Sequence, residues 1–368
     1  MSTPDGDEAP TERLARRKTL RYRVGHPVET LGKGYQALRF LAQRELYRRR
    51  AVKNDRVLER WVGDDDFPLP YIVMFETVSQ CNGTCAFCPA NRLVDTRGRN
   101  FMPLDVLEKA FDELGSLKYR SWLSFHINNE PLLDDRLPEI IRMARKKVPQ
   151  ALIQFWTNGT LLDWDKHRVL FDAGLNFLRI NNYSLAGRWH RNVAAFLDAF
   201  KRSSHARDSM IEVKAYICNP EAVLTNKGGL APNKMAGADF VPPAEKCHLP
   251  IWQFPVNYCG HVFLCCHDNF YSSVMGSLRE HTIVDIWNSP RYREVRSALL
   301  RGDRSILPVC ARCDVVTHSG ALRVRTAPDG QRAFVQPGIE TKVTLGRIYK
   351  GGSTSLEAAE VATKSSRT

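Results

Sequence analysis

No stretch of the 368-residue chain stays apolar for the ~18 residues a membrane-spanning helix needs, so none is expected. The opening residues, MSTPDGDEAPTER, lack the apolar core of a secretion signal and are polar and acidic instead. Both absences point to a cytoplasmic protein. Acidic residues are in deficit: 40 Asp and Glu against 53 Lys and Arg leave a net charge of +13. Such a surplus suits contact with nucleic acid or an anionic membrane surface. Part of it lies between Arg13 and Arg60, but no nucleic-acid motif accompanies it. A solvated basic helix face is the reading there, with neither nucleic acid nor membrane expected as a partner. The length is generous for one compact domain and suits a barrel-sized domain plus a smaller one.

Disulfides are not expected without an export signal, yet the chain has ten cysteines: Cys81, Cys85, Cys88, Cys218, Cys247, Cys259, Cys265, Cys266, Cys310 and Cys313. Short spacings in a cytosolic chain point to metal. The first group, CNGTCAFC, holds three cysteines and has no fourth beside it. Structural zinc takes four closed ligands, and His126 and His167 belong to other elements. Iron–sulfur clusters also use thiolates, and a four-iron cluster on three cysteines leaves one iron open for a substrate or cofactor.

Residues 1–11 are expected to be disordered, and 12–65 to form a basic helical extension. The strand YIVMFETV follows, with the cysteine loop directly after it. A strand–helix rhythm then runs through SWLSFHI, ALIQFWTN, FLRINNYS and MIEVKAYIC. This rhythm predicts an α/β fold over 66–218, a parallel sheet wound into a full or partial barrel. The helix PLDVLEKAFDELG is expected to end at Gly115 as its cap. Active residues of such folds lie at the C-terminal strand ends. The cysteine loop, Asn128-Asn129-Glu130-Pro131, Thr157-Asn158-Gly159 and Asn181 to Ser184 all fall there. Residues 219–246 read as a linker or loop and 247–317 as a small cysteine-rich domain. Residues 318–368 read as an extension with a disordered end.

CxxxCxxC with Phe87 before its third cysteine, after the first strand of a β/α array, resembles the radical S-adenosylmethionine (SAM) superfamily. The resemblance implies a partial (β/α)6 TIM-type barrel and a [4Fe-4S] cluster on Cys81, Cys85 and Cys88, whose open iron chelates SAM. Reductive cleavage of SAM would give a 5′-deoxyadenosyl radical that abstracts hydrogen from the substrate. A flavodoxin- or ferredoxin-type protein would donate the electron. Where the family has Gly-Gly-Glu-Pro, this chain has Asn128-Asn129-Glu130-Pro131. Glu130 would then pair with the SAM ammonium; the competing reading is an acid at a helix N-terminus. Asn181 and Ser184 stand where the family contacts the ribose.

Cys247, the hairpin Cys265, a helix and Cys310-Ala-Arg-Cys313 come in an order resembling the Twitch form of the SPASM domain, which holds one auxiliary [4Fe-4S] cluster. A Cys₄ zinc site is the alternative. Cys218 reads as a buried thiol. Cys259 and Cys266 could be further ligands, or hydrogen donors to a substrate radical. Lys227 lies where related enzymes carry a basic residue and could serve as base. The expected function is two-electron dehydrogenation of a sugar or aminocyclitol in antibiotic or other natural-product biosynthesis. A radical SAM epimerase with a cysteine donor is the alternative. A peptide maturase is a third reading, disfavoured by the helical N-terminal segment, and a zinc protein with an RNA-contacting arm is a fourth.

Overall fold

The structure, a computed structural model, describes residues 45–65, 67–184, 190–217, 225–317, 319, 323–326 and 332–335. The expectations for 1–11, for the basic segment before residue 45, for Cys218 and for most of 318–368 lie outside the described residues. Residues 45–61 form a helix.

Among the described residues twelve strands follow: β1 (Ile72–Phe75), β2 (Trp122–Ser124), β3 (Leu152–Thr157), β4 (Phe177–Ser184), β5 (Met210–Ile217), β6 (Leu230–Ala231), β7 (Lys234–Met235), β8 (Gln253–Val256), β9 (His261–Phe263), β10 (Val274–Ser277), β11 (Arg323–Thr326) and β12 (Arg332–Val335). Eight make one sheet in the order β10-β9-β8-β1-β2-β3-β4-β5. From β8 to β5 every pair is parallel. β9 and β10 extend the sheet antiparallel beside β8. Among the described residues β5 and β10 are its open edges, so the barrel is partial. The five expected strands of the first region are all present. The sixth parallel strand, β8, comes from the cysteine-rich region and lies against β1.

Parallel strands require crossovers, and the amphipathic helices Leu104–Ser116, Leu137–Lys147 and Arg191–Arg202 supply them after β1, β2 and β4. Side chains alternate across the sheet. Val73, Phe75, Leu123 and Phe125 belong to the helix-covered core, where the Phe75 ring lies 5.5 Å from Phe111 and 6.4 Å from Phe125. The opposite alternation faces the concave side. There Trp156, Arg179 and Glu212 sit on paired Cα positions of β3, β4 and β5. His126 stacks on Trp156 at 4.5 Å, and the Arg179 guanidinium lies 4.2 Å over the same indole. Arg179 is ion-paired to Glu212.

The helix expected to stop at Gly115 continues to Ser116, with Leu117 as cap and Lys118 in the left-handed region at φ 52°. Gly115 serves a different purpose: a Cβ there would lie 2.3 Å from the Lys147 carbonyl oxygen of the next helix. Gly115→Ala is therefore expected to destabilise the fold by about 1–3 kcal/mol in chemical denaturation, despite alanine's better helix propensity. A stabilised variant would show that the two helix ends do not touch.

Candidate active site

The cysteine loop leaves β1 through Ser79, whose hydroxyl donates to the Gly98 carbonyl and accepts from the Asn100 amide, pinning the two ends of the loop together. Asn91, itself buried, donates to the carbonyls of Cys85 (3.0 Å) and Cys88 (3.1 Å). The Cys88 amide donates to Cys85 and the Arg92 amide to Gly83. Gly83 lies between two of the thiols: a Cβ there would be 3.4 Å from the Cys81 sulfur and 3.8 Å from that of Cys85. Asn82 ties the loop to the end of β3, through Asn158 at 2.7 Å and Thr160 at 2.9 Å. Phe87 is buried and packs 5.5 Å from the Tyr183 ring on β4.

Burial pushes the Cys81 thiol up to about 12, and the nearby charges of Glu130 and Cys88 add to this. A thiolate so disfavoured needs a cationic centre beside it, which iron would provide. Among the described residues, no three His, Cys, Asp or Glu groups converge on a point suited to one metal ion. Thiolates gripping corners of a multi-iron core stand farther apart than those around a single zinc at about 2.3 Å.

Glu130 is buried behind the loop. Its amide donates to Gln80, and its carboxylate accepts from the Thr157 hydroxyl (2.7 Å), the Asn158 amide (2.8 Å) and the Leu132 amide (3.2 Å). Both sequence readings meet here, since Leu132 belongs to a short 3-10 turn capped by this side chain. Burial raises its pKa to about 7 against these hydrogen bonds. No ion pair neutralises it among the described residues, so a cationic ligand group would complete it. Several neighbours also await a partner. Thr77 Oγ1, Asn128 Nδ2, Asn129 Nδ2, Trp156 Nε1 and Asn181 Oδ1 are buried without hydrogen-bond partners among the described residues. Orphaned groups gathered at the ends of β1 to β4 are costly unless a polar ligand completes them. A molecule with ammonium, hydroxyl and ring-nitrogen groups, such as SAM, fits that inventory. Ser184 ends β4, and its side chain lies outside the described residues.

Sequence reasoning missed Glu76, at the end of β1. It is fully buried and bonded to Arg97 (3.1 Å) and to the Tyr271 hydroxyl. Arg97 also binds Asp95 (2.7 Å) and the Asn128 carbonyl (2.9 Å), and contacts the Tyr271 hydroxyl. Burial raises the Glu76 pKa while Arg97 and Tyr271 oppose it. The network joins the cysteine loop, β1, the end of β2 and the loop after Cys266. A lone acid closing an apolar strand was its only sequence signal.

In the second unit Cys247, Cys265, Cys310 and Cys313 are all buried in one apolar shell with Leu249, Leu264, Val295, Leu299, Leu307, Val309 and Val315. Burial raises the Cys265 thiol well above its ordinary value, and the charges of Cys266, Cys247, Cys310 and Cys313 add to the shift, so these five sulfurs share one neighbourhood. Cys266 also lies beside a cation. Burial raises its pKa while the Lys227 charge opposes it, and Lys227 also helps burial hold His267 neutral, down to about 3. Lys227, Cys266 and His267 are thus brought together. Lys227 sits at φ 50° in a turn continued by Gly228 (64°) and Gly229 (86°). Asn226 fixes this turn to the CxxC segment through Arg312 O (2.7 Å) and the Asp314 amide (3.1 Å). Cys259 does not join them: it lies in the β8–β9 turn, bonded to Asn257 and Arg279, with the length of β9 between it and Cys265.

Two family models match the chain: the radical SAM superfamily over residues 75–205 and the SPASM iron-sulfur cluster-binding domain over 247–314. The S-adenosyl-L-methionine-dependent 2-deoxy-scyllo-inosamine dehydrogenase of Niallia circulans is 27% identical over 250 residues, spanning 67% of this chain and 93% of that protein. The Fe-coproporphyrin III synthase of Methanosarcina barkeri (strain Fusaro / DSM 804) is 28% identical over 110 residues, 30% of this chain and 26% of that protein. Among solved structures, BtrN in complex with AdoMet and 2-DOIA superimposes with a TM-score of 0.56 and 26% identity, covering 67% of this chain and 94% of that one. The chain belongs to the radical SAM superfamily, with a SPASM-type domain after its SAM domain, and its cofactors are a SAM-binding [4Fe-4S] cluster, an auxiliary iron–sulfur cluster and SAM.

Proposed function

We propose that the protein dehydrogenates a secondary alcohol of a sugar or aminocyclitol during natural-product biosynthesis. The observation that carries this reading is the second unit: Cys247, Cys265, Cys310 and Cys313 lie buried in one apolar shell, and Tyr271, from the same unit, bonds to Glu76 beside the SAM-side strand ends. The clusters and SAM supply a hydrogen-abstracting 5′-deoxyadenosyl radical and an acceptor for the electron left on the substrate. In balance, the carbinol carbon loses a hydrogen atom, the hydroxyl loses a proton and one electron leaves, which yields a ketone. The likeness to an aminocyclitol dehydrogenase over most of that protein's length supports the same substrate class.

Cys81, Cys85 and Cys88 hold the SAM-binding cluster in this reading, and Cys247, Cys265, Cys310 and Cys313 the auxiliary one. Glu130 faces the SAM ammonium. Asn181 and Ser184 take the ribose, and Phe87 braces the loop against Tyr183. Lys227 takes the hydroxyl proton. A flavodoxin- or ferredoxin-type donor delivers the initiating electron. No helix among the described residues is long and apolar enough to cross a membrane, and we place the enzyme in the cytoplasm.

The deciding experiment is mass analysis of turnover in deuterium oxide with 2-deoxy-scyllo-inosamine and related cyclitols. A product two mass units lighter by loss of two hydrogens is expected. An isomer of unchanged composition carrying carbon-bound solvent deuterium would overturn dehydrogenation. That outcome belongs to the epimerase reading, which one observation favours: burial keeps the Cys266 thiol protonated and able to donate hydrogen. Lys227→Met is expected to keep 5′-deoxyadenosine formation while lowering ketone formation by ~10²-fold or more. Equal losses of both would remove Lys227 from the role of base.

Glu130 gives a pH test. Its folded pKa of about 7 lies above the ordinary carboxylate range, so without ligand the fold favours the protonated form, and that contribution fades as pH rises through 7. The SAM ammonium requires the ionised form. SAM binding measured by anaerobic calorimetry should therefore weaken below pH 7, approaching tenfold per pH unit. Affinity that stays flat between pH 6 and pH 8, on either side of that about-7 value, would remove Glu130 from the ammonium site.

A further inference from the structure

Helix 45–61 lies outside both family matches, yet it is fastened to the residues that flank Cys247 and follow Cys313. Asp55 Oδ1 stands 2.9 Å from Nε2 of His248, the neighbour of Cys247. The second ring nitrogen of His248 lies 3.2 Å from the Thr317 carbonyl, and the His248 amide donates to the Thr317 hydroxyl at 2.7 Å. That hydroxyl also contacts the Cys247 sulfur. Ser319 donates to the same Asp55 oxygen and lies 3.0 Å from the Ala51 carbonyl, while the Asn54 amide donates to Ser319 O at 2.7 Å. On the other side of Cys247, Lys246 is ion-paired with Glu59 and lies 3.7 Å from Asp55. His248, Ser319 and Asn54 are each at most 5% exposed, so these bonds are made away from water.

We propose that helix 45–61 is a clamp on the auxiliary cluster: Asp55 is a positioning residue that holds Cys247 in its ligating place through His248, Thr317 and Ser319. The proposal rests on the assignment of Cys247 to that cluster. Two segments distant in sequence, 247–248 and 317–319, must stay together for Cys247 to face Cys310 and Cys313. Among the described residues, Asp55 bonds to both of them. Removing its carboxylate leaves the His248 ring nitrogen and the Ser319 hydroxyl buried without this acceptor, a costly state that these segments relieve by separating. The SAM-side loop is held by other bonds, those of Asn82 and Asn91, and is not disturbed.

The test uses full-length Asp55→Ala and Asp55→Asn proteins with both clusters reconstituted, and follows iron passing to an external chelator. Cys310→Ala protein identifies the phase due to the auxiliary cluster. Asp55→Ala should speed that phase about tenfold and leave the other phase and 5′-deoxyadenosine formation unchanged. Asp55→Asn keeps an oxygen that accepts from both partners and should stay within about twofold of wild type. Unchanged release from Asp55→Ala overturns the proposal. So does equal acceleration of both phases, which would mean general loosening, or an Asp55→Asn protein as fast as Asp55→Ala. Wild-type protein reconstituting only about four irons overturns the auxiliary-cluster assignment itself, before any variant is compared.

Discussion

Alanine at Cys81, Cys85 or Cys88 is expected to abolish 5′-deoxyadenosine formation and to lower iron from about eight to about four per chain. The expectation follows from how little the loop offers in exchange. Between the cysteines stand only Asn82, Gly83, Thr84, Ala86 and Phe87. Asn82 is already engaged with Asn158 and Thr160, and Phe87 with Tyr183. None supplies a replacement thiolate, so two remaining sulfurs would face a core that already had one open corner. Alanine at Cys310 separates the two metal sites functionally. It should remove the other four or so irons, spare SAM cleavage and stop ketone formation. Iron analysis, absorbance and product analysis on the two variants form one experiment. A Cys88→Ala protein that still makes 5′-deoxyadenosine would sink the assignment of that loop.

The parts of this site that were legible in the sequence are those whose chemistry is local. Three thiols within eight positions stay close in almost any loop, and a strand immediately before them fixes where the loop points. Glu130 was legible for the same reason, two residues beyond the Asn128 that closes the second strand segment. Other features depend on a pairing that no local pattern encodes. β8 was hidden because a four-residue strand after a long connection carries no mark of joining β1. The Glu76–Arg97–Tyr271 network spans 195 positions between acid and phenol. Gly115 was misread because glycine near a helix end has two uses, a left-handed cap or close approach of a neighbour. Only the position of the Lys147 carbonyl distinguishes them. Cys259 and Cys266 looked equivalent by spacing, and the intervening strand sends them to opposite ends of a hairpin.

Arg296 carries the other large expectation, this time on stability. It lies on the helix Pro290–Leu300, is fully buried, and burial lowers its pKa to about 9. Guanidinium nonetheless stays protonated in proteins. The surroundings compensate for the buried charge in part, since Nη2 has no hydrogen-bond partner among the described residues. Its guanidinium carbon lies 3.7 Å over Trp287, 4.1 Å over Tyr292 and 4.5 Å over Phe67. It donates to the Trp287 carbonyl at 2.7 Å and the Pro250 carbonyl at 2.9 Å. The same helix turns Val295 and Leu299 into the apolar shell of the four cysteines, so Arg296 sits where the barrel core and the auxiliary unit share a wall. Arg296→Ala removes the cation from three rings, strips two buried carbonyls of their donor and opens a cavity. The expected loss is about 3–5 kcal/mol in anaerobic chemical denaturation. Arg296→Met fills the space with an apolar chain and should lose less, since a buried charge costs desolvation that methionine avoids. The order therefore runs wild type, Met, Ala. An alanine variant within about 1 kcal/mol of wild type would show that the shared wall is held by its apolar residues alone.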